Sequence, residues 1–132
     1  KTMKHFFITT AMALSGAFTL ATAAFANQAD TQLETQHLLN FIKTTQCQYE
    51  RNGTLHNGVQ ALQHIEKKYQ YYLDDINSSE DFIKYSATKS QMSGKIYRVH
   101  CSGQAIQNSN EWLKKELKKF RASTGETTLL EE

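Results

Sequence analysis

Apolar side chains recur at helical spacing along four stretches of the chain, and one shorter stretch alternates instead. Over roughly 31–46, Leu38, Leu39, Phe41 and Ile42 gather on one side of a helix. From Asn57 to Leu73, the residues Leu62, Ile65, Tyr69, Tyr72 and Leu73 fall within a narrow arc, and Asn57 stands where an N-cap belongs. A third helix opens at Ser78, with Asp81 three residues on in a capping-box arrangement, and turns Phe82, Ile83 and Ala87 inward. A fourth opens at Asn108, with Glu111 three residues later, and runs to about Arg121. Trp112, Leu113, Leu117 and Phe120 make its apolar side, and Lys114, Lys115, Lys118, Lys119 and Arg121 make the other.

The alternating stretch is Lys95 to Cys101. Tyr97, Val99 and Cys101 point one way, while Arg98 and His100 point the other. Ser93-Gly94 and Ser102-Gly103 punctuate its ends. One strand needs a partner, and Cys47-Gln48-Tyr49 is the segment expected to pair with it. Arg51-Asn52-Gly53 reads as a turn, and residues 122–132 lack periodicity and read as a disordered tail. These elements predict a small single α+β domain, mainly α with about four helices and one short strand pair.

The start of the chain sets the compartment. Lys4 and His5 precede a charge-free run from Phe6 to Ala26 that ends in Ala24-Phe25-Ala26, before Asn27, Gln28 and Asp30 turn polar. A basic flank, an apolar run and a small-residue site describe a secretory signal peptide over 1–26, with Met3 as the expected initiator. The competing reading is an uncleaved anchor, but Thr9, Thr10, Ser15, Gly16, Thr19 and Thr22 dilute the run and its ending suits cleavage. The expected product is a compact domain over 27–121, exported to the periplasm or secreted, with no stable membrane span after cleavage.

Charge then changes the picture. The whole chain holds 15 Lys+Arg and 13 Asp+Glu, a formal +2, and loss of Lys1 and Lys4 with the leader brings the balance to zero. No global basic footprint for nucleic acid remains. Cys47 and Cys101 are the two cysteines, and in an oxidising compartment an even pair is expected as a disulfide. Two buried free thiols, or half of a metal site, are the alternatives.

Candidate chemistry is sparse. His64, Lys68 and Tyr71 occupy i, i+4 and i+7 on the second helix, a stripe away from its apolar face. An imidazole beside an ammonium suits proton transfer or an anionic ligand, though a solvated helix flank has the same pattern. The Arg51-Asn52-Gly53 turn can present a guanidinium and backbone N–H groups to a carboxylate or phosphate. Ser90, Ser93, Gly94 and Lys95 put hydroxyls, a permissive glycine and a lysine in one loop, without the spacing of a Walker A motif or a penicillin-binding motif. His37, His56, His64 and His100 are scattered, with no His-x-x-x-His or Cys-x-x-Cys pair, so no metal or other cofactor is expected. The basic side of the fourth helix fits either attraction to anionic lipid or an ordinary core helix whose lysine stems cover its rim.

Four short motifs in order, Cys47-x-Tyr49-x-Arg51-Asn52-Gly53, Ala61-x-x-His64-x-x-x-Lys68, Ile76-x-Ser78-x-Glu80-x-Phe82-Ile83 and Ser90-x-x-Ser93-Gly94-Lys95-x-Tyr97, resemble the YfeK-like family of small secreted bacterial proteins of unknown function. The similarity covers roughly 34–121. Ile96 departs from the pattern, where relatives tend to carry proline. The resemblance implies a Gram-negative periplasmic setting and no particular activity. Its recurring polar positions fall here on Arg51, Asn52, His64, Lys68, Ser93, Gly94, Lys95 and Tyr97. They suit either a ligand site or one internal hydrogen-bond network.

The expected function is a non-catalytic binding module. Arg51, Lys68 and Lys95 would hold an anionic group of a small molecule, a peptide or an envelope component, oriented by His64, Ser93 and Tyr97. The rival is an envelope hydrolase or transferase with His64 as base and Ser93 as nucleophile, which needs the two within hydrogen-bond reach. A structural protein docking a partner in an envelope assembly is the third reading, marked by an exposed apolar patch.

Overall fold

A computed structural model describes the backbone of residues 20–130 and side chains between 28 and 125. The first part of the expected leader, 1–19, lies outside the described residues. Helix α1 spans Leu20–Thr44, so the backbone is already helical well before position 31. A hairpin follows, β1 over Gln48–Arg51 and β2 over Thr54–His56, then α2 over Gly58–Tyr71 and a single 3-10 turn at Leu73–Asp75. Helix α3 covers Ser79–Ser86, strands β3 and β4 cover Arg98–His100 and Gln107–Asn108, and α4 covers Ser109–Leu130.

The strand pair expected from alternation exists, with Tyr49 opposite Val99 and Gln48 opposite His100. It is the centre of a larger antiparallel sheet, ordered β2-β1-β3-β4. The two outer strands are only three and two residues long, too short for periodicity to show. Asn52 and Gly53 make the β1–β2 turn with φ of 51° and 79°. Positive φ at both central positions is the two-residue hairpin turn whose twist matches its strands, and Asn-Gly is its favoured sequence.

Helix starts follow the capping chemistry. The Asn57 side chain accepts from the amide of Gln60, whose side chain returns a bond to the Asn57 amide. Ser78 accepts from the amide of Asp81 at 3.0 Å, while the Asp81 carboxylate reaches past it to the Asn77 amide. Helix α4 opens at the buried Ser109, directly after Asn108 as expected, but Asn108 also pairs in β4 and the Glu111 amide donates to the Asn110 side chain at 2.9 Å. Its end differs from expectation. Helix α4 continues to Leu130, through most of the stretch expected as a disordered tail. No proline interrupts it, and the Ser123 and Thr124 hydroxyls bond back to the Phe120 carbonyl, a pattern that a helix accommodates.

The core lies where the four helices meet the sheet. Leu38 and Ile42 from α1, Ala61 and Ile65 from α2, Phe82 and Ile83 from α3, and Trp112, Leu113 and Leu117 from α4 are all buried. Tyr49, Tyr97 and Val99 close the core from the sheet side. Each large side chain so enclosed contributes about 1.5–3 kcal/mol. Leu73 lies outside it, half-exposed beyond the end of α2. The Cys47–Cys101 disulfide is present, flanking the β1–β3 pairing, with the Cα atoms 4.4 Å apart. It joins positions 54 residues apart, for which chain entropy assigns about 4 kcal/mol.

Close approach of α1 and α2 is set by Gly58. A Cβ there would stand 2.3 Å from the Ile42 carbonyl oxygen and 2.8 Å from that of Lys43. The glycine lets the first turn of α2 press on the last turn of α1, where donor-rich and acceptor-rich helix ends meet. This contact fixes the direction in which α2 presents its polar stripe.

Candidate functional site

Helix α2, the β1–β2 turn and the loop before β3 enclose a cavity of about 480 Å³. Arg51 and Asn52 come from the turn, His64, Lys67, Lys68, Tyr71 and Tyr72 from α2 and its end, and Ser90, Gln91, Met92, Ser93 and Tyr97 from the loop and its exit. The loop holds its shape through its own backbone. The Gly94 amide donates to the Ser90 carbonyl at 2.9 Å and the Ser90 amide to the Lys95 carbonyl at 3.0 Å. Gly94 turns the chain at φ 71°, which glycine adopts without steric cost.

Arg51 and His64 meet through Nη1 and Nδ1. A guanidinium has only donors, so the Nδ1 of His64 is the acceptor and its proton sits on Nε2. That Nε2–H donates to the Tyr97 hydroxyl at 3.0 Å. The Lys68 ammonium donates to the Lys89 carbonyl at 2.6 Å and to the same Tyr97 oxygen at 3.4 Å, with its nitrogen 4.9 Å from the Tyr97 ring centre. The Tyr97 oxygen therefore accepts twice, and its own proton is left to donate. Ser93 donates to the side-chain oxygen of Asn52 at 2.6 Å, which locks the loop onto the turn and leaves the Asn52 amide group as a donor.

Charge in this cavity is one-sided. Arg51, Lys67 and Lys68 line it, and no carboxylate does. His64 is pushed down to about 4, first by burial and then by the charges of Arg51 and Lys68, with smaller effects of His56 and Lys67. Burial, followed by the charges of Arg51 and Lys89, lowers Lys68 to about 8. Burial raises the Tyr97 phenol, against a smaller opposing effect of Arg51. Both nitrogens thus favour their neutral forms more than they would in water, because a positive site with no anion penalises each added proton.

Of the residues singled out by sequence, Arg51, Asn52, His64, Lys68, Ser93 and Tyr97 converge here. Lys95 does not. Its side chain lies beyond the Asn52 turn, beside Glu50, Gly53, Ile96, Arg98 and Asn108, since the turn at Gly94 sends Ser93 and Lys95 to different sides. Gly94 lines neither wall and contributes through its backbone alone. The pocket with Lys95 as third cation is corrected to one with Lys67, which sequence reasoning passed over although it stands one helical turn from His64. Tyr72, Gln91 and Met92 were missed as well, because nothing in a chain's local pattern shows which loop faces a helix flank.

The geometry that a hydrolase needs is not assembled. Ser93 is engaged with Asn52, and both ring nitrogens of His64 are taken by Arg51 and Tyr97. The group behind the imidazole is a cation, whereas a general base is usually oriented and supported by a carboxylate. Among the described residues no group of three His, Cys, Asp or Glu side chains is placed to hold a metal ion. Among them, too, no helix is long and apolar enough to cross a membrane.

Fold and cavity together define a small disulfide-bonded α+β domain with a cationic hollow against one helix. The chain belongs to a family of unknown function, DUF5329, whose model matches residues 29–121. That match covers all four helices at least in part, the whole sheet and every residue of the cavity. No curated protein and no solved structure matches the chain.

Proposed function

We propose that this is an exported, non-catalytic binding module that takes the anionic group of a small molecule, peptide or envelope fragment in the Arg51/Lys68 cavity. The observation that carries the reading is the unneutralised charge of Arg51, Lys67 and Lys68 in a partly desolvated hollow without a carboxylate. Internal acceptors, namely His64 Nδ1, the Tyr97 oxygen, the Lys89 carbonyl and the Asn52 side-chain oxygen, take some of the donors and leave others over. The free proton of Tyr97, the Asn52 amide group and the remaining N–H groups of Arg51 all await an oxygen-rich partner. Tyr71 and Met92, both largely exposed, provide apolar contact at the rim for the body of such a ligand. Export to the periplasm agrees with the leader-like pattern of 1–26 and with the disulfide.

Titration of the domain with inorganic phosphate and with acetate, followed by amide and imidazole NMR, tests this. Shifts should concentrate on Asn52, His64, Ser93 and Tyr97, and Arg51→Gln should weaken the interaction by about 10-fold or more. Shifts spread evenly over surface lysines, or none at the cavity, refute the reading.

A further inference from the structure

We infer that Lys68 is a nucleophilic amine that captures small anionic aldehydes or α-keto acids as an imine. The inference rests on the anion-binding reading only for the seating of the ligand's carboxylate.

The argument begins with the hydrogen bonds of the amine. Lys68 Nζ has two acceptors, the Lys89 carbonyl and the Tyr97 oxygen. A neutral amine has two N–H bonds, and both are satisfied by these partners. The remaining tetrahedral direction, occupied by a proton in the charged form, then carries the lone pair. Lys68 lines the cavity together with Arg51 and Tyr97, so a carbonyl compound bound there stands beside the amine. A lysine in an ordinary ion pair has a carboxylate that holds it protonated. None lines this cavity, and the neighbouring charges on Arg51 and Lys89 oppose protonation. Desolvation beside other cations is a recognised route to a reactive lysine.

The neighbours supply the remaining roles. Tyr97 accepts from His64 and from Lys68, so its own O–H is available to a carbonyl oxygen in the cavity. The outer N–H groups of Arg51 suit the ligand's carboxylate, two bonds away from the reacting carbon. In the first step the neutral amine attacks the carbonyl carbon and a C–N bond forms. The carbonyl π electrons move to oxygen, which takes up a proton delivered through Tyr97, while the nitrogen releases one. In the second step that hydroxyl leaves as water after protonation, the nitrogen loses its last proton, and C=N forms. Amine and carbonyl thus give imine and one water, with no oxidant or reductant required.

The test uses the disulfide-bonded domain, glyoxylate as probe and cyanoborohydride to trap the imine, with the modified residue mapped by mass spectrometry. Lys68 should acquire a carboxymethyl group about 10-fold or more faster than Lys67, Lys84 or Lys89, because its amine stands against the Tyr97 hydroxyl in the cavity, where burial and the charges of Arg51 and Lys89 oppose its protonation. Inorganic phosphate should slow that labelling, and Tyr97→Phe should reduce it while near-ultraviolet circular dichroism reports an intact fold. If phosphate binds at the cavity but the label spreads over lysines according to exposure, the nucleophile is overturned and the anion site stands. If neither phosphate binding nor selective labelling is found, both readings fall.

Discussion

Replacing His64 with Gln isolates a pH dependence that the cavity builds into the stability of the fold. The imidazole goes from an ordinary 6.5 down to about 4 in the folded chain, with burial as the first cause and Arg51 as the second. Above about pH 6.5 the ring is neutral whether the chain is folded or not, and it contributes no slope. Between 6.5 and about 4 the unfolded chain takes up a proton that the folded chain refuses, so stability falls as pH falls. For an enclosed group that difference would be about 3 kcal/mol. The ring is only partly buried, and solvent screening reduces the expectation to about 1–2 kcal/mol. Gln can accept from Arg51 and donate to Tyr97 without titrating, so His64→Gln should keep the contacts and lose the slope. Urea unfolding of both proteins at about pH 7.5 and about pH 4 gives the comparison, with other titrating groups cancelling between them. Equal loss of stability on acidification in the two proteins, or an NMR titration of His64 near the ordinary value, would refute the electrostatic account of the cavity.

Two further outcomes bear on the frame that holds the site. Cys47→Ser with Cys101→Ser should cost about 3–4 kcal/mol in chemical denaturation, since the loop it opens spans 54 positions. A loss below about 1 kcal/mol would mean that the unfolded chain is already compact. Gly58→Ala should destabilise by about 1–3 kcal/mol although alanine is the better helix former, because the added carbon meets two carbonyl oxygens of α1. A rise in melting temperature in that variant would show the α1–α2 contact to be looser than drawn.

Much of the frame was legible because it is governed by local rules. The Asn57 and Ser78 caps follow from side-chain geometry within one turn, and spacing gives the buried face of α3 and the Leu62, Ile65 and Tyr69 side of α2, though not Tyr72 and Leu73 past its end. Tyr97 and Val99 alternate with Arg98 because a strand shows its sides in turn. The hairpin at Asn52-Gly53 was readable as a turn, but the two outer strands were too short to register. Asn108 illustrates a local rule only half kept, since it directly precedes α4 and pairs with Arg98 in the sheet while the Glu111 amide is taken by the Asn110 side chain.

The functional stripe divides along the same line. His64, Lys68 and Tyr71 share a helix flank by spacing alone, and that is as far as helical geometry reaches. Whether such a flank faces water or a cavity depends on what is packed against it. Here the disulfide-pinned sheet places Arg51 on His64, and the Ser90–Lys95 loop covers the other side.

By itself, then, the order of residues determined the four helices apart from the start of α1 and the end of α4, the caps of α2 and α3, and the central strand pair. It also favoured the pairing of the two cysteines, because each of these depends on neighbours in sequence or on a partner of unique type. Only the tertiary structure decided that Lys67 replaces Lys95 in the cationic hollow, that His64 is held neutral, and that Ser93 serves Asn52. Those outcomes depend on which side of a turn faces which helix and on how much water is excluded between them. These are properties of the packed chain as a whole, because desolvation and charge act through space across segments far apart along the backbone.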